Sequence, residues 1–84
     1  MDFDRRTEEL IAIGAAVAAN CSACLEHHLA EARKAGLGEH DIARAAGIGK
    51  AVRKGAAAQI DRIAAGLRPG EAARAAPAGP GCCG

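Results

Sequence analysis

Residues 9–28 read ELIAIGAAVAANCSACLEHH, and the way this stretch folds decides the rest of the chain. In its first half Leu10, Ile13 and Val17 recur at spacings of three and four, which places them on one helical face. Asn20 interrupts that pattern and is a good N-cap for a second helix beginning at Cys21. On that second helix Cys21, Cys24, His28 and Glu31 share one stripe, while Leu25, Leu29 and Ala32 form the apolar stripe beside it. The stretch predicts two successive helices, with two thiols and an imidazole along the border between core and solvent.

The pattern extends outward in both directions. The first helix is expected from about Asp4 to Ala19, with Thr7 or Asp4 as its cap. The second is expected to stop at Gly36, after Arg33 and Lys34 in a last turn where the helix dipole favours cations. Gly38 opens a third helix through Asp41, Ile42, Ala45 and Ala46, weakened by Gly47 and Gly49. A fourth presents Val52, Ala56, Ile60, Ile63 and Leu67 and ends at GLRPG, residues 66–70. No alternating β-branched run predicts a strand. The expectation is an all-α domain of about four helices over residues 1–67. A flexible Gly/Pro/Ala tail, 68–84, is expected to follow, ending in Cys82-Cys83.

Composition limits what such a domain can do alone. Of the 84 residues 23 are alanine, and only 15 are Leu, Ile, Val, Phe or Met. A core this poor in large side chains rarely supplies more than about 3–5 kcal/mol without staples, metal or association. An obligate homo-oligomer is therefore expected, the alanines allowing helices to approach closely. The net charge of +1 comes from interspersed charges, without a basic block or aromatic platform, so nucleic acid is not an expected partner. The apolar run from Leu10 to Ala19 is too short to span a bilayer, so no membrane partner is expected either. The charges before that run sum to −2, the wrong sign for a secretory leader. The expected location is cytoplasmic, where cysteines more often serve redox or metal chemistry than structural disulfides.

Three readings of Cys21 and Cys24 follow: a redox dithiol, a pair of metal ligands, or two small helical residues. At the start of a helix, amide hydrogens and the dipole favour an anionic sulfur. His28, four residues after Cys24, can take a proton from a thiol. If the chain reverses near Asn20, a rise of about 1.5 Å per residue brings Glu9 and His28 to within roughly 5 Å of the same height. A carboxylate could then orient the imidazole. Zinc would need a fourth ligand beyond Cys21, Cys24 and His28, from the tail or a neighbouring subunit. Cys82 and Cys83 could hook a soft metal or arsenic(III), or exchange thiols with the Cys21–Cys24 pair. His27 and Glu31 are expected to face solvent.

Glu9, then LIAIGAAVAAN, then Cys21-Ser22-Ala23-Cys24, then LEH, then His28 resembles the redox motif of the alkyl hydroperoxidase D-like members of the carboxymuconolactone decarboxylase family. The resemblance covers roughly residues 5–65, and this spacing is much more specific than a bare C-x-x-C. It implies an all-α fold assembled as trimers or hexamers. It also implies thiol-disulfide oxidoreductase activity with hydroperoxide or disulfide substrates. Cys24 would be the attacking thiol, Cys21 its resolving partner, and His28 and Glu9 the proton relay. A lipoyl-type or thioredoxin-type dithiol would be the electron donor, and no cofactor is implied. One position departs from the pattern: well-known members carry a histidine within the C-x-x-C where this chain has Ala23. The alternative is a thiophilic metal or metalloid carrier using Cys21, Cys24, His28, Cys82 and Cys83.

Overall fold

The computed structural model describes residues 2–67, so the expected tail over 68–84, with Cys82 and Cys83, lies outside the described residues. Three helices make up the described chain: α1 (Arg5–Ala18), α2 (Ser22–Lys34) and α3 (Glu39–Ala65). The chain divides into two units, Met1–Lys54 and Gly55–Gly84. The all-α expectation holds for the described residues, with three helices in place of about four.

The difference in number arises because the expected third and fourth helices are one continuous element, α3. Gly47 and Gly49 each cost about 1 kcal/mol of helix propensity relative to alanine, yet the helix runs through both. Neither is flanked by proline or a capping residue, and the alanine-rich segment that follows favours helix. Gly49 also has a packing reason to be glycine. A Cβ there would collide with the Gly14 carbonyl oxygen and lie 2.9 Å from the Val17 Cβ. At Gly14 a Cβ would come within 3.3 Å of the Ala45 carbonyl oxygen. The two glycines let the backbones of α1 and α3 meet, an approach that a side chain would block at Gly49 and crowd at Gly14.

The start of α1 and the end of α2 have identifiable chemical causes. Asp4 caps α1: its Oδ1 accepts from the Thr7 amide at 2.7 Å, and that bond is the main reason its carboxyl sits below the ordinary value. At the other end of α2, Gly36 takes a left-handed φ of 86°. The Gly36 amide donates to the Arg33 carbonyl and the Leu37 amide to that of Ala32, the two bonds of a Schellman motif. Arg33 then forks onto Glu39 across the turn into α3, with Nε at 3.0 Å and Nη2 at 2.9 Å from the two carboxylate oxygens.

The core joins Ile13 of α1, Ala32 of α2, Leu37 of the turn, and Ile42 and Ala45 of α3. Leu10, Leu25, Leu29 and Ala46 pack around it. Full burial of an Ile or Leu contributes about 1.5–3 kcal/mol, and this core holds few such residues. Ile48 and Val52, on α3 within the same unit, are exposed. In the second unit every residue from 55 to 67 is exposed, including Ile60, Ile63 and Leu67.

The glycine contact generates a matched pair of predictions. Gly49→Ala is expected to lower stability by about 1–3 kcal/mol through overpacking, despite its better helix propensity. Gly47→Ala, where a Cβ meets nothing within 4 Å, is expected to raise stability by roughly 0.5–1 kcal/mol. Urea unfolding followed by circular dichroism checks both. A third expectation concerns Glu39, whose carboxyl is held low first by its hydrogen bond from Arg33. A carboxyl lowered on folding stabilises above its unfolded value, and this contribution is lost as pH falls through the folded one. The urea midpoint should therefore drop below the ordinary carboxylate range. The drop should be smaller in Glu39→Gln and in high salt.

Candidate functional site

The site is built at the reversal between α1 and α2. Asn20 takes a left-handed φ of 57°, the single non-glycine residue among those described with positive φ. It does not cap α2, as its residue type suggested. Its amide donates to the Val17 carbonyl and the Cys21 amide to that of Ala16, a second Schellman motif that closes α1. Asparagine suits both roles because its short polar side chain tolerates the left-handed region and also caps helices. The choice between them is a tertiary one: Arg53 of α3 donates to the Asn20 Oδ1 at 2.8 Å and to the Val17 carbonyl at 3.2 Å.

The cap of α2 is Cys21 itself. Its Sγ accepts from the Cys24 amide at 3.3 Å, and α2 begins at Ser22, one residue later than expected. Cys21 and Cys24 are joined by a disulfide, their Cα atoms 5.3 Å apart. The Cys21 sulfur therefore rests at the positive end of α2, where a thiolate would be favoured after reduction. Cys21 is partly buried and Cys24 is exposed.

His28 follows one helical turn after Cys24. Its Nδ1–H donates to the Glu9 Oε1 at 2.8 Å across the α1–α2 seam. Glu9 is 8% exposed, the one charged residue of the described chain that is buried. With Nδ1 engaged, the lone pair for accepting a proton is on Nε2. Cys21, Cys24 and His28 line a shallow hollow of about 300 Å³ whose remaining walls are Ala12, Ala15, Ala16 and Ala19. These alanines recur along one face of α1, so the hollow beside the disulfide is apolar on its α1 side.

The structure thus brings Glu9, Cys21, Cys24 and His28 to one place, as the spacing implied, while Cys82 and Cys83 lie outside the described residues. It also adds residues that the motif did not contain. Glu31, expected simply to meet solvent, is tied to Arg5 at 2.6 Å and to Lys34 at 3.1 Å. The Lys34 hydrogen bond is the main cause of its lowered carboxyl pKa. Arg5 also faces Glu9, with Nε 3.4 Å from Oε2. The i,i+4 spacing of Arg5 and Glu9 was visible in the sequence; the reach of Arg5 to Glu31 and of Arg53 to Asn20 was not. His27 is exposed, and its ring meets that of His28 edge-on at 4.9 Å. Among the described residues no group of three or more His, Cys, Asp or Glu side chains is arranged to hold a metal ion. No described helix is long and apolar enough to cross a membrane.

The chain belongs to the carboxymuconolactone decarboxylase family, whose model matches residues 2–68. No curated protein and no solved structure matches the chain.

The reversal generates a stability prediction. Asn20→Ala places a Cβ-bearing residue with no compensating polar group in the left-handed region, at a cost of about 1–2 kcal/mol. Asn20→Gly adopts that conformation freely and should cost less, losing chiefly the Arg53 bond. Chemical denaturation of the three proteins, all with the disulfide intact, gives the ranking.

Proposed function

Taking family membership as the premise, we propose that this protein is a thiol-disulfide oxidoreductase of the alkyl hydroperoxidase D-like kind, reducing organic hydroperoxides with electrons from a dithiol donor. The observation that carries this reading is the Glu9–His28 hydrogen bond, made across two helices and opening onto the same hollow as the Cys21–Cys24 disulfide. A carboxylate that holds an imidazole beside a redox-capable cysteine pair is an arrangement suited to moving protons on and off sulfur.

The cycle starts from the reduced pair. His28 Nε2 accepts the Cys24 thiol proton, and the thiolate attacks the terminal peroxide oxygen. The O–O bond breaks, the alkoxide takes the proton back from His28, and Cys24 is left as a sulfenic acid. Cys21, a thiolate favoured by the Cys24 amide and the start of α2, attacks the Cys24 sulfur. Hydroxide leaves and becomes water with the proton that Cys21 gave up, and the disulfide forms. The donor dithiol attacks the exposed Cys24 sulfur, so that Cys21 departs as the thiolate its position stabilises. The donor's second thiol then displaces Cys24, leaving the donor oxidised and the pair reduced. Without His28 only a few per cent of a free cysteine is thiolate at neutral pH.

Ala23 leaves His28 as the one imidazole on the cysteine stripe of α2. The alanine walls of the hollow offer room and apolar surface for an alkyl group, which supports organic hydroperoxides over hydrogen peroxide as substrates. Assembly as a homo-oligomer, a trimer or hexamer, belongs to the same reading. The small core and the exposure of Ile48, Val52, Ile60, Ile63 and Leu67 support it. A reducing cytoplasmic setting, in which a lipoyl-type or thioredoxin-type donor regenerates the dithiol, is also part of the proposal.

The test is a thiol titration of the reduced protein before and after one equivalent of an organic hydroperoxide, with disulfides mapped by mass spectrometry. Two thiols per chain should disappear as a Cys21–Cys24 bridge. His28→Ala should slow that loss about 10²–10⁴-fold, the usual contribution of a general acid–base group. Loss no faster than in the unfolded chain rejects the reading. A bridge that includes Cys82 or Cys83 would instead make the C-terminal pair a partner in the cycle.

A further inference from the structure

We infer that Arg5 is a positioning residue for the proton relay, acting on His28 through Glu9; the inference rests on the thiol–base reading above. Glu9 has two carboxylate oxygens. Oε1 accepts from His28 Nδ1 at 2.8 Å, and Oε2 faces Arg5 Nε at 3.4 Å. Held at one oxygen alone, the carboxylate could swing about its terminal torsion, which has a broad, shallow energy profile. With the Arg5 guanidinium paired against the second oxygen, that swing is opposed and one plane is favoured. The plane sets the direction from which Oε1 accepts, and with it the imidazole orientation and the nitrogen that keeps the hydrogen.

Arg5 is itself held. Its Nη2 donates to the Glu31 Oε1 at 2.6 Å, and the other oxygen of Glu31 pairs with Lys34 Nζ at 3.1 Å. Arg5 lies one turn before Glu9 on α1, and Glu31 lies one turn after His28 on α2. The four side chains span the seam between the helices. The guanidinium serves both carboxylates at once, Nε toward Glu9 and Nη2 toward Glu31, a division that a lysine ammonium cannot reproduce. Stability alone is a weak reason for the cluster, because exposed ion pairs contribute about 0–1 kcal/mol and the Arg5 side chain is 56% exposed. Orientation of the buried Glu9 gives the arrangement a role in the chemistry that its energy does not.

The experiment reads the imidazole directly. The full chain, labelled with ¹⁵N-histidine and fully reduced, is examined by long-range ¹H–¹⁵N correlation at a pH where His28 is neutral, and the His28 signal is assigned with His28→Gln. In the natural sequence His28 should carry its hydrogen on Nδ1. In Arg5→Met the population should move toward the Nε2–H form that free histidine prefers. The rate constant for hydroperoxide-dependent thiol loss should fall about tenfold, with little change in KM or melting temperature. Arg5→Lys should recover the Nδ1–H form only in part. Glu31→Ala, which releases Arg5 from α2 and leaves Glu9 in place, should shift the tautomer in the same direction by less, and it serves if Arg5→Met fails to fold.

An unchanged tautomer in both Arg5→Met and Glu31→Ala overturns the assignment. A shifted tautomer with undiminished reactivity overturns it as well. If the natural sequence itself shows no hydroperoxide-dependent thiol loss, the oxidoreductase reading fails, while the tautomer measurement still decides whether Arg5 orients His28 through Glu9.

Discussion

Everything at the site depends on a chain reversal only a few residues long. α1 ends in a Schellman motif with Asn20 in the left-handed conformation, and the next residue, Cys21, caps α2 with its own sulfur. No spacer separates the end of one helix from the start of the next. Two consequences follow from that economy. Cys21 is placed by hydrogen bonds with the backbone on both sides, its amide to Ala16 and its sulfur from Cys24. The two helices also run back against each other closely enough for Glu9, buried on the first, to reach His28 on the second.

That reversal also makes the surroundings of the two cysteines unequal. Cys21 sits at the amide-rich end of α2 and is partly covered, whereas Cys24 is exposed one turn before His28. A sulfur held at a helix start is a good leaving group in thiol exchange, and an exposed sulfur is the one an incoming thiolate reaches. The asymmetry needs no differently charged neighbour for either cysteine. It comes from where the helix begins, one residue later than a conventional cap at Asn20 would have put it.

The small core gives the arrangement its context. Ile13, Ala32, Leu37, Ile42 and Ala45 hold the first unit together with little apolar volume. The chain compensates with close backbone contact at Gly14 and Gly49 and with polar ties across the seams, Arg33 to Glu39 and Arg53 to Asn20. Alanine, which limits the core, also shapes the hollow beside the disulfide: Ala12, Ala15, Ala16 and Ala19 leave open a space that larger side chains would fill. One compositional bias thus limits the core and leaves a hollow open beside the disulfide.

Much of this was legible in the residues alone. Period and punctuation were enough for an all-α reading, for α1 with Asp4 as one of two candidate caps, and for the end of α2 at Gly36, because these depend on contacts within a few residues. The meeting of Glu9 with His28 followed from counting helical rise on either side of a turn, and the resemblance of the motif pointed to the same residues. What sequence order could not decide was every choice between two locally acceptable states. Asn20 is a good N-cap and a good left-handed residue; the Arg53 side chain, 33 positions away, stands with the second. Gly47 and Gly49 look alike as helix breakers, yet only Gly49 meets another backbone. Glu31 reads as a solvent-facing glutamate until Arg5, 26 residues earlier, is seen to reach it. Local propensity energies differ by about 1 kcal/mol or less between such alternatives, so a single long-range hydrogen bond or steric contact is enough to select one. Those contacts exist only once the helices have packed.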